Sequence, residues 1–174
     1  MEIRALRQSD DRSAFHSGDE AVDRFFRMYA GQNQFRHHLG VTYIAVEDGR
    51  ILGFATVAPG QLDVEGLPAV ARKKMPRYPL PILRLARLAV DRSAQSQGIG
   101  TQLLRFVCRV AGKMADDYGC AGIVVDAKPD AATFFAKYGF LRHDAIEGQS
   151  DVRPRPTMMF LAMRAIKEAS NVPQ

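Results

Sequence analysis

The chain has 174 residues, 47% of them hydrophobic, and a formal net charge of +5 at pH 7. This length suits one domain with a full core, and we expect residues 1–174 to form a single domain. No apolar run approaches a membrane span, and the charged N-terminus is unlike a signal peptide, so we expect a cytoplasmic protein that contacts no membrane. The positive charge permits a polyanionic partner without requiring one.

The first part of the chain predicts a strand, a helix and a hairpin. Residues 2–6 alternate as an edge strand does, and Ser17 or Asp19 could cap the helix that follows. The apolar face of that helix comprises Val22, Phe25, Phe26 and Tyr29. Strands are expected over residues 41–46 and 51–58, joined by a turn in which Asp48-Gly49 supplies the positive φ angles.

The connection over residues 59–81 is rich in proline, includes a predicted short helix at 69–74, and carries a run of cations. This run and its continuation comprise Arg72, Lys73, Lys74, Arg77, Arg84 and Arg87. Such a run of charges usually forms a solvated helix face. The alternative is a surface that contacts phosphates beside an active site.

The chain is organised around residues 84–104, RLARLAVDRSAQSQGIGTQLL. Residues 85–90 are typical of a buried strand, residues 91–97 form a polar loop, and Gly98-Ile99-Gly100 opens a helix. Amides in the first turn of a helix have no helical partner, and glycines let an anion approach the backbone. The apolar face of this helix comprises Leu103, Val107, Val110, Ala111 and Met114. Strand, glycine loop and helix together favour a bound phosphate.

The last third of the chain predicts two more strands around a helix. A buried strand is expected over residues 121–127, and Asp130 could cap a helix over 131–138 that ends at Gly139. Phe140 starts a further strand, residues 143–156 form a polar loop, residues 157–163 form the last strand, and the tail from Glu168 frays.

Neither the cysteines nor the histidines have the spacing of a metal site. Cys108 and Cys120 are two lone residues, which we expect to be reduced and packed in the core. His37 and His38 are adjacent, so their side chains point apart and a solvated surface is expected. We therefore expect no metal.

The residues of the glycine loop limit which anion fits. The loop lacks the Gly-Lys-Ser/Thr of a Walker motif, and it lies past mid-chain, unlike the loop of a dinucleotide fold. Gln95-Ser96-Gln97-Gly98-Ile99-Gly100 resembles instead the Gln/Arg-x-x-Gly-x-Gly/Ala signature of the GCN5-related N-acetyltransferase (GNAT) family. The preceding LARLAVD and the later FFAKYGF stand at the spacing of that family. An ordinary strand-to-helix turn without a ligand is the alternative.

The resemblance covers nearly the whole chain and implies an α/β fold with a central, mostly antiparallel twisted sheet flanked by helices. One branch fits best, the TacT-like toxins of type II toxin–antitoxin pairs, which acetylate aminoacyl-tRNA. The segments that carry this resemblance are Phe15-x-x-Gly18 with Val22-Asp23-x-Phe25-Phe26, residues 75–91 and residues 124–140. The resemblance implies aminoacyl-tRNA as the substrate and a ribbon-helix-helix antitoxin as the partner, and it leaves a homodimer open.

The resemblance also implies acetyl-CoA as cosubstrate. Backbone amides near Leu88, Ala89 and Val90 would bind the acetyl carbonyl and the pantetheine, and the glycine loop would hold the pyrophosphate. The implied contacts are Leu88, Ala89, Val90, Gln95, Gln97, Gly98, Ile99, Gly100, Thr101, Lys128 and Phe134. Such toxins hold tRNA on a basic surface, which favours that role for the run from Arg72 to Arg87.

This chain differs from the family at the position of the family's proton donor. The family has a tyrosine four residues before the Gly-Phe pair, where this chain has Phe135, and a phenyl ring cannot donate a proton. Three interpretations stay open: an inactivating Tyr-to-Phe substitution, a naturally weak or inactive homologue, or Tyr138 as the donor. Position 138 is more typical of a packing residue.

Three functions from different classes follow. The first is a translation-blocking toxin that acetylates the aminoacyl group of charged tRNA. The second is a GNAT enzyme that acetylates a small amine or a protein N-terminus. The third is a catalytically impaired module that binds CoA or an antitoxin, which Phe135 alone would allow. The basic connection favours the first.

Overall fold

The computed structural model describes residues 1–143 and 156–171, to which the following elements belong. The strands are β1 (Glu2–Ala5), β2 (Val41–Glu47), β3 (Arg50–Leu62), β4 (Leu80–Val90), β5 (Gly122–Ala127), β6 (Leu141–Arg142) and β7 (Thr157–Ala162). The α-helices are α1 (Glu20–Arg24), α2 (Ala69–Arg72), α3 (Ile99–Asp117), α4 (Ala132–Lys137) and α5 (Met163–Ser170). Two π-helical segments, Phe25–Tyr29 and Gln32–Arg36, follow α1, and 3₁₀ turns span Val64–Gly66 and Arg92–Ala94.

The strands form a sheet in the order β1-β2-β3-β4-β5-β7-β6. The pairs β1/β2, β2/β3, β5/β7 and β6/β7 are antiparallel, which confirms the predicted mixed α/β class. Two compact units share the chain. The first comprises Met1–Ala58 and Leu85–Arg109, and the second comprises Pro59–Arg84 with the described part of Val110–Gln174. The single domain over residues 1–174 stays a prediction.

Aromatic side chains form the core of the first unit. Phe26 stacks on Phe54 of β3 with ring centres 4.2 Å apart, and Phe15 meets both rings edge-on. At the preceding residue, Gly53, an added Cβ would point to the other face of the strand and lie 3.0 Å from Leu103 and 3.1 Å from Ile99. The helical segment that carries Phe26 and helix α3 therefore cover opposite faces of this part of the sheet.

Asp19 is the N-cap of α1, which confirms one of the two residues predicted to cap this helix. Its carboxylate accepts a hydrogen bond of 3.2 Å from Val22 N–H. Phe25 and Phe26 are buried as predicted, but Tyr29 is 40% exposed and does not belong to the apolar face. The reason is that Phe25–Tyr29 is π-helical, with i→i+5 hydrogen bonds that rotate later side chains away from their α-helical positions.

The hairpin between β2 and β3 is confirmed. Asp48 and Gly49 have φ angles of +48° and +77°, which the two central residues of such a turn need. Ile44 pairs with Phe54 across the two strands, and both side chains are fully buried.

The second unit is built on strands β5 and β7, in which Val124 pairs with Phe160. Gly122 lies so close to the carbonyl of Leu161 and the ring of Phe160 that a Cβ would not fit there. The core of this unit comprises Leu62, Val64, Leu67, Leu80, Ile82, Val124 and Phe160.

Two strands are longer than the sequence predicts. β3 continues to Leu62 and β4 begins at Leu80, so the connection between them is confined to residues 63–79. Pro59 and Pro81 occupy exposed strand positions, where the missing N–H is tolerated. The carbonyl of Pro81 still accepts a hydrogen bond of 2.8 Å from Ala121 N–H. The short helix in this connection is confirmed as α2.

Three local predictions for the last third are wrong. Asp130 does not cap α4, whose N-cap is Ala131, because the carbonyl of Lys128 accepts the N–H bonds of the first turn. Phe140 precedes β6 rather than starting it. The tail from Glu168 is helical as far as Ser170, since α5 buries Ile166 and carries an ion pair of 2.8 Å between Arg164 and Glu168, while residues 172–174 of the predicted frayed tail lie outside the described residues.

The polar loop expected over residues 143–156 falls mostly on residues 144–155, which lie outside the described residues. Within the described part of the chain, no helix is both long and apolar enough to cross a membrane.

Candidate active site

The glycine loop between β4 and α3 has the conformation that an anion site needs. Ser96 and Gly98 have φ angles of +62° and +81°, and a Cβ added at Gly98 would have no atom within 4 Å. The carbonyl of Gly98 accepts the N–H of Gln102 at 3.1 Å, so the amides of Ile99 and Gly100 precede this first helical bond. Open space therefore adjoins a helix N-terminus, and this arrangement fits a pyrophosphate.

The two glutamines of the loop make internal contacts. Gln95 Nε2 donates to the carbonyl of Ser17 at 2.8 Å and to that of Val90 at 3.1 Å. Gln97 Nε2 donates to the carbonyl of Ser93 at 3.2 Å. These bonds fix the shape of the loop, while direct contact of either glutamine with a ligand stays a prediction.

Asp91 connects the end of β4 to the loop that precedes α1. Its carboxylate accepts hydrogen bonds from His16 N–H at 3.0 Å, Ser93 N–H at 3.0 Å and Ser93 Oγ at 2.6 Å. Burial alone would raise the pKa of Asp91, but these hydrogen bonds outweigh it and hold the pKa below its usual value. Asp91 is therefore an ionised anchor for the start of the glycine loop.

A second buried carboxylate, Asp23 of α1, holds the same loop from the other side. It accepts from Ser17 N–H at 2.9 Å and Ser17 Oγ at 2.6 Å, and His16 Nδ1 lies 3.0 Å away. Burial would raise the pKa of Asp23, and the bonds from Ser17 and His16 lower it on balance. The positioning roles of Asp91 and Asp23 were not predicted from the sequence, although Val22-Asp23-x-Phe25-Phe26 contains a signal for one of them, an acidic residue within an apolar helix face.

A pocket of about 340 Å³ lies beside this network in the first unit. Its lining includes His16, Arg50, Asp91 and Arg92, and none of the predicted acetyl-CoA contacts. Arg50 is already engaged, because it donates to Ser93 Oγ at 2.7 Å.

The end of β4 presents the residues predicted to bind the acetyl group. Leu88, Ala89 and Val90 are partly buried, and Ala89 packs against the aromatic cluster of the first unit. Arg87 lies on the same strand with its guanidinium 3.6 Å from the ring centre of Phe25. The predicted loop contacts Gln95–Thr101 and the strand residues Leu88–Val90 thus belong to one unit.

The remaining predicted contacts lie in the second unit. Phe135 is 4% exposed, and its ring meets Phe134 and Phe140 with centres 5.1 and 5.3 Å away. Tyr138 is partly buried at the end of α4, 5.2 Å from the ring of Phe134, and Lys128 is exposed. Gly139 has a φ of +88°, as the predicted helix end requires.

The cations predicted to contact tRNA divide into three groups. Arg72, Lys73, Lys74 and Arg77 are exposed, and we call these four residues the basic segment. Arg84 is paired with Asp126 at 3.0 Å. Arg87 belongs to the first unit and contacts Phe25. Tyr78, 63% exposed, follows the basic segment directly.

The other titratable residues singled out from the sequence form no metal site. Cys108 is partly buried and Cys120 is buried, both are free thiols, and burial raises the pKa of each. His37 and His38 are exposed. Across residues 1–143 and 156–171, no group of three His, Cys, Asp or Glu side chains could hold a metal ion.

Comparisons with known proteins agree with this geometry. Residues 38–142 match the family model of the acetyltransferase (GNAT) domain. The tRNA-acetylating toxin of Mycobacterium tuberculosis (strain ATCC 25618 / H37Rv) is 34% identical over 140 residues, which cover 79% of this chain and 82% of the relative.

Two solved structures extend the similarity to the fold. AtaT complexed with acetyl-methionyl-tRNAfMet matches with a TM-score of 0.83 at 25% identity, covering 98% of this chain and 99% of AtaT. A tyrosine-to-phenylalanine mutant of KacT matches with a TM-score of 0.79 at 25% identity, covering 97% of this chain and 99% of KacT. The chain belongs to the GNAT family of N-acetyltransferases, and its relatives in that family include a tRNA-acetylating toxin.

Proposed function

We propose that this chain transfers the acetyl group of acetyl-CoA to the α-amino group of an aminoacyl-tRNA and thereby acts as a translation-blocking toxin. The observation that carries this proposal is the 34% identity to a tRNA-acetylating toxin over 79% of the chain. The exposed basic segment supports it, because a polyanionic substrate needs such a surface.

The glycine loop is the proposed binding site of the acetyl-CoA pyrophosphate. Gly98, Ile99, Gly100 and Thr101 would offer backbone amides, and the positive φ at Gly98 leaves room for the phosphates. Acetyl-CoA supplies the thioester that is the acetyl donor. The contacts proposed for Lys128 and Phe134 rest on the family resemblance.

The reaction needs positioning more than covalent help from the protein. The α-amino nitrogen attacks the thioester carbon, a C–N bond forms, the C–S bond breaks, and the amine loses a proton while the thiolate gains one. Amides near Leu88, Ala89 and Val90 would stabilise the oxyanion. An α-amino group has a pKa of about 8, so a useful neutral fraction exists at pH 7 without a strong general base.

Protonation of the leaving thiolate is the step for which this chain lacks the family's residue. Phe135 supports an inactive or weak form, whether substituted or natural, and Tyr138 is the alternative donor. The KacT match is itself a tyrosine-to-phenylalanine mutant, so a toxin of this fold can carry such an exchange and keep the fold.

The cellular setting follows from the proposed substrate. Charged tRNA places the protein in the cytoplasm, and a toxin of this kind needs an antitoxin, for which the family resemblance suggests a ribbon-helix-helix protein. A homodimer stays open.

The test is acetyl transfer from labelled acetyl-CoA to a pool of charged tRNAs, with this chain and its Phe135→Tyr variant. We expect label on the aminoacyl group of at least one tRNA with the variant, and little or none with the parent. Label on small amines or on a protein N-terminus, with none on tRNA, would show that the proposed substrate is wrong and that one of these amines is the acceptor. If neither protein transfers acetyl to any amine, the chain is a non-catalytic binding module rather than an enzyme.

A further inference from the structure

The first unit contains a pocket of about 340 Å³ that the proposed reaction does not use, and we call it the side pocket. Three segments line it: the loop before α1, the β2–β3 hairpin and the residues directly before the glycine loop. Among the residues that the structure describes, its lining includes none of those predicted to contact acetyl-CoA or tRNA. Ligand pockets begin at about 300 Å³, so the side pocket fits a small molecule.

The side pocket presents charges of both signs. Its ionisable lining comprises Asp11, His16, Arg50, Asp91 and Arg92. A bare anion would meet the two carboxylates, and a bare cation would meet the two guanidiniums, so neither matches the whole lining. A metal ion does not match it either, because no group of three His, Cys, Asp or Glu side chains within residues 1–143 and 156–171 could hold one. A ligand that carries both charges fits best.

The two carboxylates differ in their availability to a ligand. Asp91 is buried and is engaged by His16 N–H, Ser93 N–H and Ser93 Oγ, which makes it part of the protein framework. Asp11 is exposed and accepts a hydrogen bond of 2.9 Å from Ser13 N–H, so its carboxylate remains open to solvent. Asp11 can therefore bind an ammonium group in the side pocket.

His16 offers a second acceptor for an ammonium group. Its Nδ1 lies 3.0 Å from Asp23 Oδ2. Burial would raise the pKa of Asp23, but the hydrogen bonds from Ser17 and His16 lower it on balance, so this carboxylate is ionised and can only accept. The network therefore assigns the hydrogen to Nδ1, and the neutral ring has its lone pair at Nε2. The imidazole is 58% exposed, so Nε2 is open to a ligand.

Arg92 supplies a positioned cation to the side pocket. Its backbone N–H donates to the carbonyl of His16 at 2.9 Å, and its guanidinium lies against Gly18, where a Cβ would be 2.7 Å from Nε. Within the described part of the chain, this guanidinium forms no hydrogen bond or ion pair. Arg50 commits one N–H to Ser93 Oγ at 2.7 Å and keeps its other donors. Two guanidiniums can thus receive a carboxylate.

We propose that the side pocket binds a free α-amino acid. Its carboxylate would lie on Arg92 and Arg50, because guanidinium forks match the planar geometry of a carboxylate. Its ammonium group would lie on Asp11 and His16. A single carbon joins these two groups in an α-amino acid, so both charges fit within one small pocket, and Ile51 in the lining offers apolar surface to the side chain. This inference goes beyond the proposed function and does not depend on acetyl transfer.

The first test changes the ligand and leaves the protein unchanged. Calorimetry with each of the common amino acids should find at least one that binds saturably. For that amino acid, the carboxamide removes the negative charge and the desamino analogue removes the positive charge. We expect each analogue to bind about tenfold more weakly or worse, the scale of a lost charge-assisted hydrogen bond. Absence of saturable binding by any amino acid would overturn the proposal, as would an analogue that binds equally well.

The second test locates the site by changing one side chain at a time. Arg92→Gln should weaken binding of the amino acid about tenfold and leave the affinity for the carboxamide unchanged, because that contact is already lost. Asp11→Asn should act in the same way with the desamino analogue. Arg105→Gln is the matched control, since Arg105 is an exposed cation of the same unit outside the side pocket. Arg92→Gln and Asp11→Asn proteins that bind the amino acid like Arg105→Gln would place it elsewhere and overturn the proposal.

Discussion

Ser17 Oγ donates a hydrogen bond of 2.6 Å to Asp23 Oδ1, so a fully buried carboxylate anchors the loop that precedes α1. The carbonyl of the same Ser17 accepts from Gln95 Nε2 at 2.8 Å. The glycine loop therefore depends on a residue of α1 that cannot touch a ligand itself. We expect changes at Asp23 to act on the fold first and on acetyl-CoA binding through the shape of the loop.

The first prediction is that Asp23→Asn lowers the free energy of unfolding by about 1–3 kcal/mol at pH 7, because charge-assisted hydrogen bonds from Ser17 and His16 are weakened. Asp19→Asn is the matched control, since asparagine caps a helix as well as aspartate does. Urea unfolding of the three proteins measures the difference. Equal losses for both variants would mean that the buried network adds nothing beyond a helix cap.

The pH dependence of this difference tests its origin. The folded pKa of Asp23 lies below its usual value, so its contribution is complete above the unfolded pKa of about 3.9 and is lost as the pH falls through the folded pKa. The gap between the parent and Asp23→Asn should therefore be constant from about pH 5 to 7 and shrink below about pH 4. A gap that persists unchanged at low pH would exclude the carboxylate as its source.

The sequence predicted the glycine loop well because the signal there is local. The apolar run of β4, the glycine at position 98 and the helical spacing from Leu103 to Met114 all depend on neighbours within a few residues, and the structure places them as expected. The strand bounds were less accurate. Pro59 and Pro81 suggested breaks, whereas their exposed positions in β3 and β4 tolerate a missing N–H.

The sequence could not predict contacts between residues that are distant in the chain. Asp23 is recognisable in the sequence as an acidic residue within an apolar helix face, but its partners are identified only when the loop at Ser17 folds back on it. Arg87 resembles the other cations of its run, and only the position of Phe25 distinguishes it from Arg84. Each of these depends on tertiary packing, which periodicity and local propensity do not encode.

The second prediction is that Gly98→Asp abolishes acetyl-CoA binding. The space beside Gly98 is open, and a carboxylate there would repel the pyrophosphate while its Cβ occupies the site. Gly49→Asp is the matched control, because Gly49 also has a positive φ and open space but lies in the β2–β3 hairpin. Calorimetry should show that the parent and Gly49→Asp bind acetyl-CoA and that Gly98→Asp does not. Equal affinity of all three proteins would exclude the glycine loop as the acetyl-CoA site.

The third prediction concerns the basic segment. Reversal of Lys73, Lys74 and Arg77 to glutamate should weaken tRNA binding and leave acetyl-CoA affinity nearly unchanged, because these exposed cations are proposed to contact only tRNA phosphates. Each lost contact should flatten the log–log salt dependence by roughly 0.7–0.9. The control reverses three exposed cations of α3, Arg105, Arg109 and Lys113, which gives the same change in net charge. If the variant with the reversed basic segment binds tRNA with the affinity and salt dependence of the parent, the segment is a solvated face that does not contact tRNA.

The fourth prediction is that Phe135→Tyr creates or restores acetyl transfer. If the site is shaped for tyrosine, the added hydroxyl can protonate the leaving thiolate, and turnover should rise by about 100-fold or more, the usual scale of a positioned general acid. Initial rates with acetyl-CoA and charged tRNA measure the effect. A rate no higher than that of the parent would remove position 135 from the mechanism.

Stability provides an independent test of the same position. Phe135 is 4% exposed among Phe134 and Phe140, and an unpaired hydroxyl in an apolar core costs about 1–3 kcal/mol. A variant that is faster and no less stable would indicate that the hydroxyl meets a polar group or the reacting sulfur. A variant that is less stable and no faster would make Phe135 an ordinary core residue.

Tyr138→Phe in the Phe135 background distinguishes the two candidate donors. Tyr138 is partly buried against Phe134, as a packing residue is, so we expect this variant to keep whatever transfer rate the parent has. If Tyr138 is the donor, its loss should remove measurable transfer from the parent, and Phe135→Tyr should then add little to a chain that already has an acid. The two variants together therefore assign the proton to position 135 or 138, because each assignment predicts that only one of the two hydroxyls changes the rate.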